Sequence, residues 1–402
     1  MSISNPLKKY FGPSTLVTAA FIGPGTLTVC TISGVNHGYS LLWVLLFATI
    51  STIILQEMAA RLGLITQNGL GEAIRSEIKH PTLKYVSITL VFIAVIIGNA
   101  AYEAGNISGA ALGLGGVFGS SVLWPLTIGV FALIVLLAGK FKLIERILIG
   151  LVIVMSLVFL ITAIVVKPDF SEILFGLFIP SLNSSNQLAI LALIGTTVVP
   201  YNLFLHASSV SKKWKDTSEL SSLRKENAVA ISLGGLISMA IVITSAATIF
   251  SGGVSGINEM AVQLEPLLGS WAKYFLAAGL FAAGISSAIT APLAAAYTAK
   301  GIFGWSGNEN EWKFRLIGIV VLSIGTLFSM LGYKPVSVIQ VAQIANGILL
   351  PVVVFFLVYI SNKKSLLGKY VNKPWQNILS ILVILISLII SFRSLNSVFN
   401  FI

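Results

Sequence analysis

Charged side chains are scarce in this chain. They make up 10% of its 402 residues, whereas soluble domains average roughly 25%. The sequence also has three histidines and only one cysteine. A single cysteine excludes an intrachain disulfide framework and a cysteine-based zinc site. It has no Walker loop, no His-Glu-x-x-His sequence and no nucleophile motif. The chain is therefore predicted not to be an enzyme and to use no cofactor.

Apolar residues are abundant instead, at 56% of the chain. A helix that spans a bilayer needs about 20 mostly apolar residues. The segments that meet this length are 13–35, 39–60, 85–113, 118–139, 143–166, 187–211, 227–251, 270–299, 314–332, 336–361 and 375–395. The pattern predicts an all-α membrane protein with eleven transmembrane helices and direct contact with membrane lipid.

The lysines and arginines indicate the orientation of these helices. If the N-terminus lies inside, 21 of the 25 basic residues fall on the inner side. The positive-inside rule then predicts a cytoplasmic N-terminus and an outer C-terminus, in the plasma (inner) membrane. The net charge of +11 thus reflects topology, and no nucleic-acid partner is expected. Residues 64–80 are predicted to form a short polar helix on the inner side, and 169–186 an amphipathic segment on the outer side.

Two of the predicted helices carry a proline near their middle. The first contains Gly23-Pro24-Gly25-Thr26 and the sixth Val199-Pro200-Tyr201-Asn202. Proline removes a backbone donor and clashes with the preceding turn, so both helices are expected to be interrupted, with Thr26 capping the second half of the first. Unwound backbone is tolerated at membrane depth where it lines a cavity.

The matched positions of the interruptions, in helices one and six, predict a five-plus-five inverted repeat with one midplane binding site. Residues 1–402 would form a single transporter domain. Repeat one would cover about 13–166 and repeat two about 187–361, followed by an extra helix at about 375–395.

Three stretches resemble a known family. FGPSTLVTAAFIGPGTLTVCTISGVNHGYSLLWVLLF, NAAYEAGNISGAALGLG and ALIGTTVVPYNLFLHASSV resemble the first, third and sixth helices of Nramp-type divalent-metal transporters. This resemblance implies a LeuT-like fold, alternating access and proton-coupled uptake of manganese or iron.

The family's metal-ligand motifs are changed in this chain. Its Asp-Pro-Gly-Asn matches Gly23-Pro24-Gly25-Thr26, and its Met-Pro-His matches Val199-Pro200-Tyr201. The carboxylate and thioether that suit transition metals are therefore replaced, and no metal ligand is assigned. The residues expected to bind substrate are Gly23, Gly25, Thr26, Thr196, Val199, Tyr201, Asn202 and Asn346.

A second group of residues could move protons. Glu103 lies well inside the third helix with Asn106 one turn away, and both match the family's acidic pair, of which one acid remains. His206 matches a family histidine. An acid within the membrane is a functional hypothesis by default, although a hydrogen-bonded structural role is the alternative for both Glu103 and His206. Glu57 and Arg61, one turn apart, predict an ion pair.

The function expected from the sequence is that of a secondary active transporter that moves a small ion or solute by alternating access, with coupling to protons. The resemblance implies a divalent cation as substrate. The neutral site chemistry fits a small anionic, zwitterionic or neutral solute at least as well, because helix N-termini favour negative charge. A membrane receptor or scaffold that transports nothing is the third reading.

Overall fold

A computed structural model describes residues 22–138, 142–249, 253–306 and 311–399, and within these ranges the chain is helical nearly throughout and forms no strand. The helices up to the middle of the chain are α1 Pro24–His37, α2 Leu42–Thr66, α3 Leu70–Glu77, α4 Pro81–Phe118, α5 Leu123–Ala138, α6 Lys142–Val165 and α7 Phe170–Phe178. Those that follow are α8 Gln187–Thr197, α9 Pro200–Lys213, α10 Leu220–Thr248, α11 Ile257–Ala261, α12 Ala272–Phe303, α13 Trp312–Ser329, α14 Pro335–Ser361 and α15 Pro374–Phe399.

Nine helical elements of the described ranges are long and apolar enough to cross a membrane. Helix α5 is apolar but has 16 residues, and α1 is the second half of the predicted first span. Residues 13–21 of that span lie outside the described ranges. The helical membrane fold predicted from composition is thus confirmed, while the count of eleven spans stays a prediction.

Helix α4 lies at the centre of the bundle, where it contacts α12, α13, α14 and the start of α1. The close approach to α1 depends on Gly109, because a Cβ at this position would overlap the ring of Pro24. Small residues let transmembrane helices pack this tightly without a hydrophobic driving force between them. The packing brings the first interrupted helix against the middle of α4.

Residues Ile93–Ile97 of α4 form a π-helical turn, and α-helix resumes at Gly98. A π turn holds one residue more than an α turn and is often found at functional sites. The turn precedes Asn99 and Glu103, two buried polar residues of the same helix.

Helix α3 packs on the end of α12 and confirms the short polar helix predicted within 64–80. Glu72, in its first turn, has its carboxylate wedged between Gly69 and Gly301. Burial raises the pKa of Glu72, and the positive charges of Lys300 and Lys212 partly offset this effect.

Helix α7 confirms the amphipathic segment predicted within 169–186. Asp169 is its N-cap and accepts hydrogen bonds from the backbone N–H groups of Ser171 and Glu172. The Ser171 hydroxyl donates to the same carboxylate over 2.7 Å. These hydrogen bonds hold the pKa of Asp169 below its usual range, and the one from the Ser171 hydroxyl has the largest effect.

Candidate functional site

Helix α1 begins at Pro24, directly after the N-cap Gly23. The missing N–H of a proline costs nothing at the first helical position. No side chain caps the start of this helix, so none accepts a hydrogen bond from the N–H groups of its first turn. The predicted capping role of Thr26 is therefore wrong. Thr26 lies inside the first turn, and its side chain points across to another helix.

The second interruption separates α8 from α9. Helix α8 ends at Thr197, and α9 begins at Pro200 with Val199 as its N-cap and again with no side-chain cap. The carbonyl of Thr197 accepts a hydrogen bond of 3.2 Å from the Thr52 hydroxyl of α2. The second predicted interruption is thus present. At the first, α1 begins at the predicted proline, and residues 13–21 before it lie outside the described ranges. The N-termini of α1 and α9 are both buried inside the protein.

Thr26 and Thr196 join the two interrupted helices. Their hydroxyl oxygens lie 2.9 Å apart, and both residues are buried. Because 170 residues separate them in sequence, this hydrogen bond fixes the start of α1 against the last turn of α8. We call this region, from Gly23–Thr26 to Thr196–Asn202, the junction.

Helix α14 closes one side of the junction. A Cβ at Gly25 would overlap the side-chain amide of Gln343, and a Cβ at Gly195 would overlap its backbone carbonyl. Asn346, one turn further on, is also buried, with its Oδ1 facing Gly98 of α4. Glycines in α1 and α8 therefore allow α14 to contact both α1 and α8 at Gln343, one turn before Asn346.

Several buried polar atoms around the junction have no hydrogen-bond partner among the described residues. They are Thr28 Oγ1, Asn202 Oδ1, Gln343 Oε1 and Asn346 Nδ2. A buried polar group without a partner costs about 1–3 kcal/mol, and native proteins carry few of them. A polar ligand at the junction would therefore gain hydrogen bonds from α1, α9 and α14.

Tyr201 lies in the first turn of α9 and contacts α4. Its ring meets the edge of Tyr102 with the ring centroids 5.3 Å apart. Both tyrosines are buried. The contact ties the start of α9 to the middle of α4, one residue before Glu103.

Glu103 faces a different neighbour from the junction. Its Cβ and Cγ pack on Gly325 of α13, and its Oε2 accepts a hydrogen bond of 3.2 Å from Asn106 Nδ2. Its Oε1 has no partner in the described part of the chain. The predicted pair of Glu103 and Asn106 is present, but as a separate buried unit on another face of α4.

His206 lies on α9, one turn after Asn202, and is buried. Its Nδ1 is 2.9 Å from Oε1 of Gln56 on α2. The imidazole therefore links α9 to α2, which leaves both its packing role and its proton-relay role open.

The donor set at the junction consists of hydroxyls, amides and backbone groups. Nowhere in the described ranges do three or more His, Cys, Asp or Glu side chains form a group that could hold a metal ion. The side chains of the junction include no carboxylate, imidazole or thioether.

Sequence reasoning underestimated α2 and Gln343. Thr52 and Gln56 support the junction from behind, and Gln343 lies directly on Gly25. Their polar side chains within otherwise apolar spans were the available signal, because polar residues inside a membrane helix usually have partners.

The broken helix α8–α9 within a bundle of membrane-length helices defines this chain as an integral membrane protein with a LeuT-like fold. Two solved structures share it. A manganese transporter from Eremococcus coleocola superposes with a TM-score of 0.77 at 21% identity, over 99% of this chain and 88% of that one. MhsT, in complex with L-phenylalanine, gives a TM-score of 0.65 at 17% identity, over 96% and 98%.

The chain belongs to the Nramp family, described as natural resistance-associated macrophage protein-like, whose model matches residues 14–397. It is 31% identical to the divalent metal cation transporter MntH of Nostoc sp. (strain PCC 7120), over 94% of this chain and 88% of that protein. The MntH protein of Caldanaerobacter subterraneus subsp. tengcongensis is 28% identical, over 93% and 90%. Both relatives are named as divalent metal cation transporters.

Proposed function

We propose that this protein is a secondary active transporter that binds a small anionic or zwitterionic solute at the junction. The observation that carries the proposal is the donor set. Two uncapped half-helix N-termini meet there with hydroxyls and amides. The N-terminus of a helix carries about half a positive elementary charge, and its N–H groups point at a bound anion.

Alternating access would expose the junction to each side in turn. In the present conformation the binding candidates Gly23, Gly25, Thr26, Thr196, Val199, Tyr201, Asn202 and Asn346 are all buried. We interpret this as a closed state in which α14 and the two interrupted helices enclose the site. Opening would require α1 or α9 to move away from α14, which breaks the hydrogen bond between Thr26 and Thr196.

A divalent cation is the second candidate, because the relatives above are named as divalent metal cation transporters. Neutral oxygens alone could hold such an ion with most of its water shell in place, as magnesium prefers. Its affinity would be low, since no carboxylate offsets its charge.

The first experiment compares solutes directly. Purified protein in proteoliposomes should take up one or more labelled carboxylate-bearing solutes, and manganese added to the detergent-solubilised protein should give no calorimetric signal at micromolar concentration. Micromolar manganese binding would overturn the ligand argument. Absence of flux of every solute and ion from intact, folded protein would favour the receptor or scaffold reading for this member.

Proton coupling rests on Glu103. Replacing Glu103 by Gln keeps the side-chain shape and the contact with Asn106 but removes the titratable group. Uptake driven by a proton gradient should fall to the uncoupled level, while exchange of substrate at equilibrium persists. Uptake is measured with and without an imposed pH gradient, and Glu172→Gln in α7 serves as an exposed control. Unchanged gradient dependence in Glu103→Gln would reject this role and leave His206 as the candidate.

We further propose the arrangement of the chain in the membrane. The single domain of residues 1–402 would comprise repeat one at about 13–166, repeat two at about 187–361 and an extra helix at about 375–395. The N-terminus would be cytoplasmic and the C-terminus outside, in the plasma membrane. The distribution of basic residues and the start of α1 and α9 at Pro24 and Pro200 support this arrangement.

A further inference from the structure

A second polar pocket lies away from the junction, beside the C-terminal half of α2. It is a cavity of about 400 Å³ between α2, α10 and the segment that leads into α15. Its polar lining comprises Glu57, Arg61, Arg224, Asn227, Lys369 and Lys373. Four cations and one carboxylate give it a net formal charge of +3.

Glu57 and Arg61 form the fixed base of this pocket. Glu57 accepts from Nε of Arg61 at 3.1 Å, from Nε of Arg224 at 2.8 Å and from Nε2 of Gln376 at 3.0 Å. Arg61 also donates to the carbonyl of Tyr370 and, over 2.7 Å, to Oδ1 of Asn372. The predicted ion pair is therefore confirmed, and it secures the segment before α15 to α2.

The other cations keep capacity for a ligand. Arg224 uses its Nε for Glu57, and its side chain is 48% exposed. The ammonium groups of Lys369 and Lys373 have no acidic partner among the described residues, and the Lys369 ammonium lies 5.4 Å from the ring of Tyr370. A guanidinium fork beside two ammonium groups is the arrangement that binds phosphate.

The remaining lining is apolar and continues along the helices. Ile53 and Ile54 of α2 line the pocket, and Ile50, on the same face one turn away, is 44% exposed. On the facing side Trp375 lines the pocket at 50% exposure, and Ile378 of α15 follows at 59%. The pocket thus has a basic end, and exposed apolar residues of α2 and α15 lie beside it.

Asn227 provides one further polar contact at the boundary between the two halves. Its Nδ2 donates to the carbonyl of Ile53 over 2.8 Å, while its buried Oδ1 has no partner among the described residues. A ligand hydroxyl could donate to this oxygen. The pocket therefore combines positive charge, one acceptor and apolar surface.

We propose that this pocket binds the headgroup of an anionic phospholipid. The phosphate lies between Arg224, Lys369 and Lys373, and an acyl chain lies along Ile53 and Ile50. Basic pockets between transmembrane helices bind such headgroups. A tryptophan at the rim is typical of the membrane–water interface. A soluble phosphate would use the cations alone, whereas a lipid would also contact the exposed apolar residues beside them.

The test uses the full chain, purified in detergent and stripped of lipid. Phosphatidylglycerol, phosphatidylcholine and inorganic phosphate are added separately, and bound lipid is counted by native mass spectrometry with the melting temperature as a second readout. Phosphatidylglycerol should be retained at least about tenfold more strongly than phosphatidylcholine. The double variant Lys369→Gln/Lys373→Gln should weaken this retention by about thirtyfold, and Arg224→Gln, which removes one charge, by about fivefold.

The matched control is Lys363→Gln/Lys364→Gln, which removes the same charge on the same side but outside the pocket, and it should bind like the unmodified protein. Equal losses in both double variants would mean that bulk charge attracts the lipid and would overturn the site. Equal retention of the two lipids would overturn it as well. Protection by inorganic phosphate that matches phosphatidylglycerol would assign the pocket to a soluble phosphate instead.

Discussion

The affinity for manganese is expected to rise by about a hundredfold, ~2.7 kcal/mol of binding free energy, when Gly23→Asp, Thr26→Asn and Val199→Met are combined. These are the positions where the family's aspartate, asparagine and methionine would stand. All three lie in the junction, two of them at the N-caps of α1 and α9. A carboxylate would offset the cation's charge there, and a thioether would favour a softer metal. Isothermal titration calorimetry of the purified variant measures the gain directly.

The matched control carries Gly23→Asn, Thr26→Asn and Val199→Leu, which add similar volume without a carboxylate or a thioether. It should bind manganese no better than the unmodified protein. Melting temperatures of both variants report whether the added side chains are tolerated. An equal increase of manganese affinity in both variants would show that the carboxylate and the thioether do not determine the affinity. If the Asp–Asn–Met variant is folded but binds manganese no more tightly, the missing ligands alone do not explain the low affinity of the junction.

The free energy of unfolding is expected to fall by about 3–5 kcal/mol when Glu57 is replaced by Ala. Arg61 is 1% exposed and would then remain as a buried cation without its carboxylate. Gln376 and Arg224 would lose the same acceptor. Denaturant or thermal unfolding in detergent measures the change. Glu172→Ala, which removes an exposed carboxylate, should stay within about 0.5 kcal/mol, and a Glu57→Ala variant as stable as this control would contradict the role of the cluster.

The spans and their interruptions could be predicted because their causes are local. A run of apolar residues has few alternatives in a membrane, and Pro24 and Pro200 each remove a backbone donor wherever they stand. The structure starts α1 and α9 at these two prolines. The ion pair of Glu57 and Arg61 could also be predicted, since residues four apart share one face of a helix.

The directions of single side chains depend on tertiary packing and could not be predicted. Thr26 was expected to cap its own helix, but Thr196 of α8 offers its hydroxyl a partner across the junction. Glu103 faces Gly325 of α13 because the rotation of α4 is set by its glycine contacts with α1 and α14. In the sequence, Lys369 and Lys373 indicated only which side of the membrane their loop faces. Their position beside Arg224 in the structure is what suggests a binding role.

The π-helical turn at Ile93–Ile97 gives α4 one residue of slack. Each residue of an α-helix accounts for about 100° of rotation about the helix axis. If the π turn shifts along the helix by one residue, the side chain at the position it crosses rotates by about this angle. Both ends of the helix keep their places. Asn99, whose amide atoms lack partners in the described part of the chain, lies two residues beyond the turn. A shift of the π turn by two positions towards the C-terminus would therefore turn Asn99 towards a different neighbouring helix, while the rest of α4 stays helical.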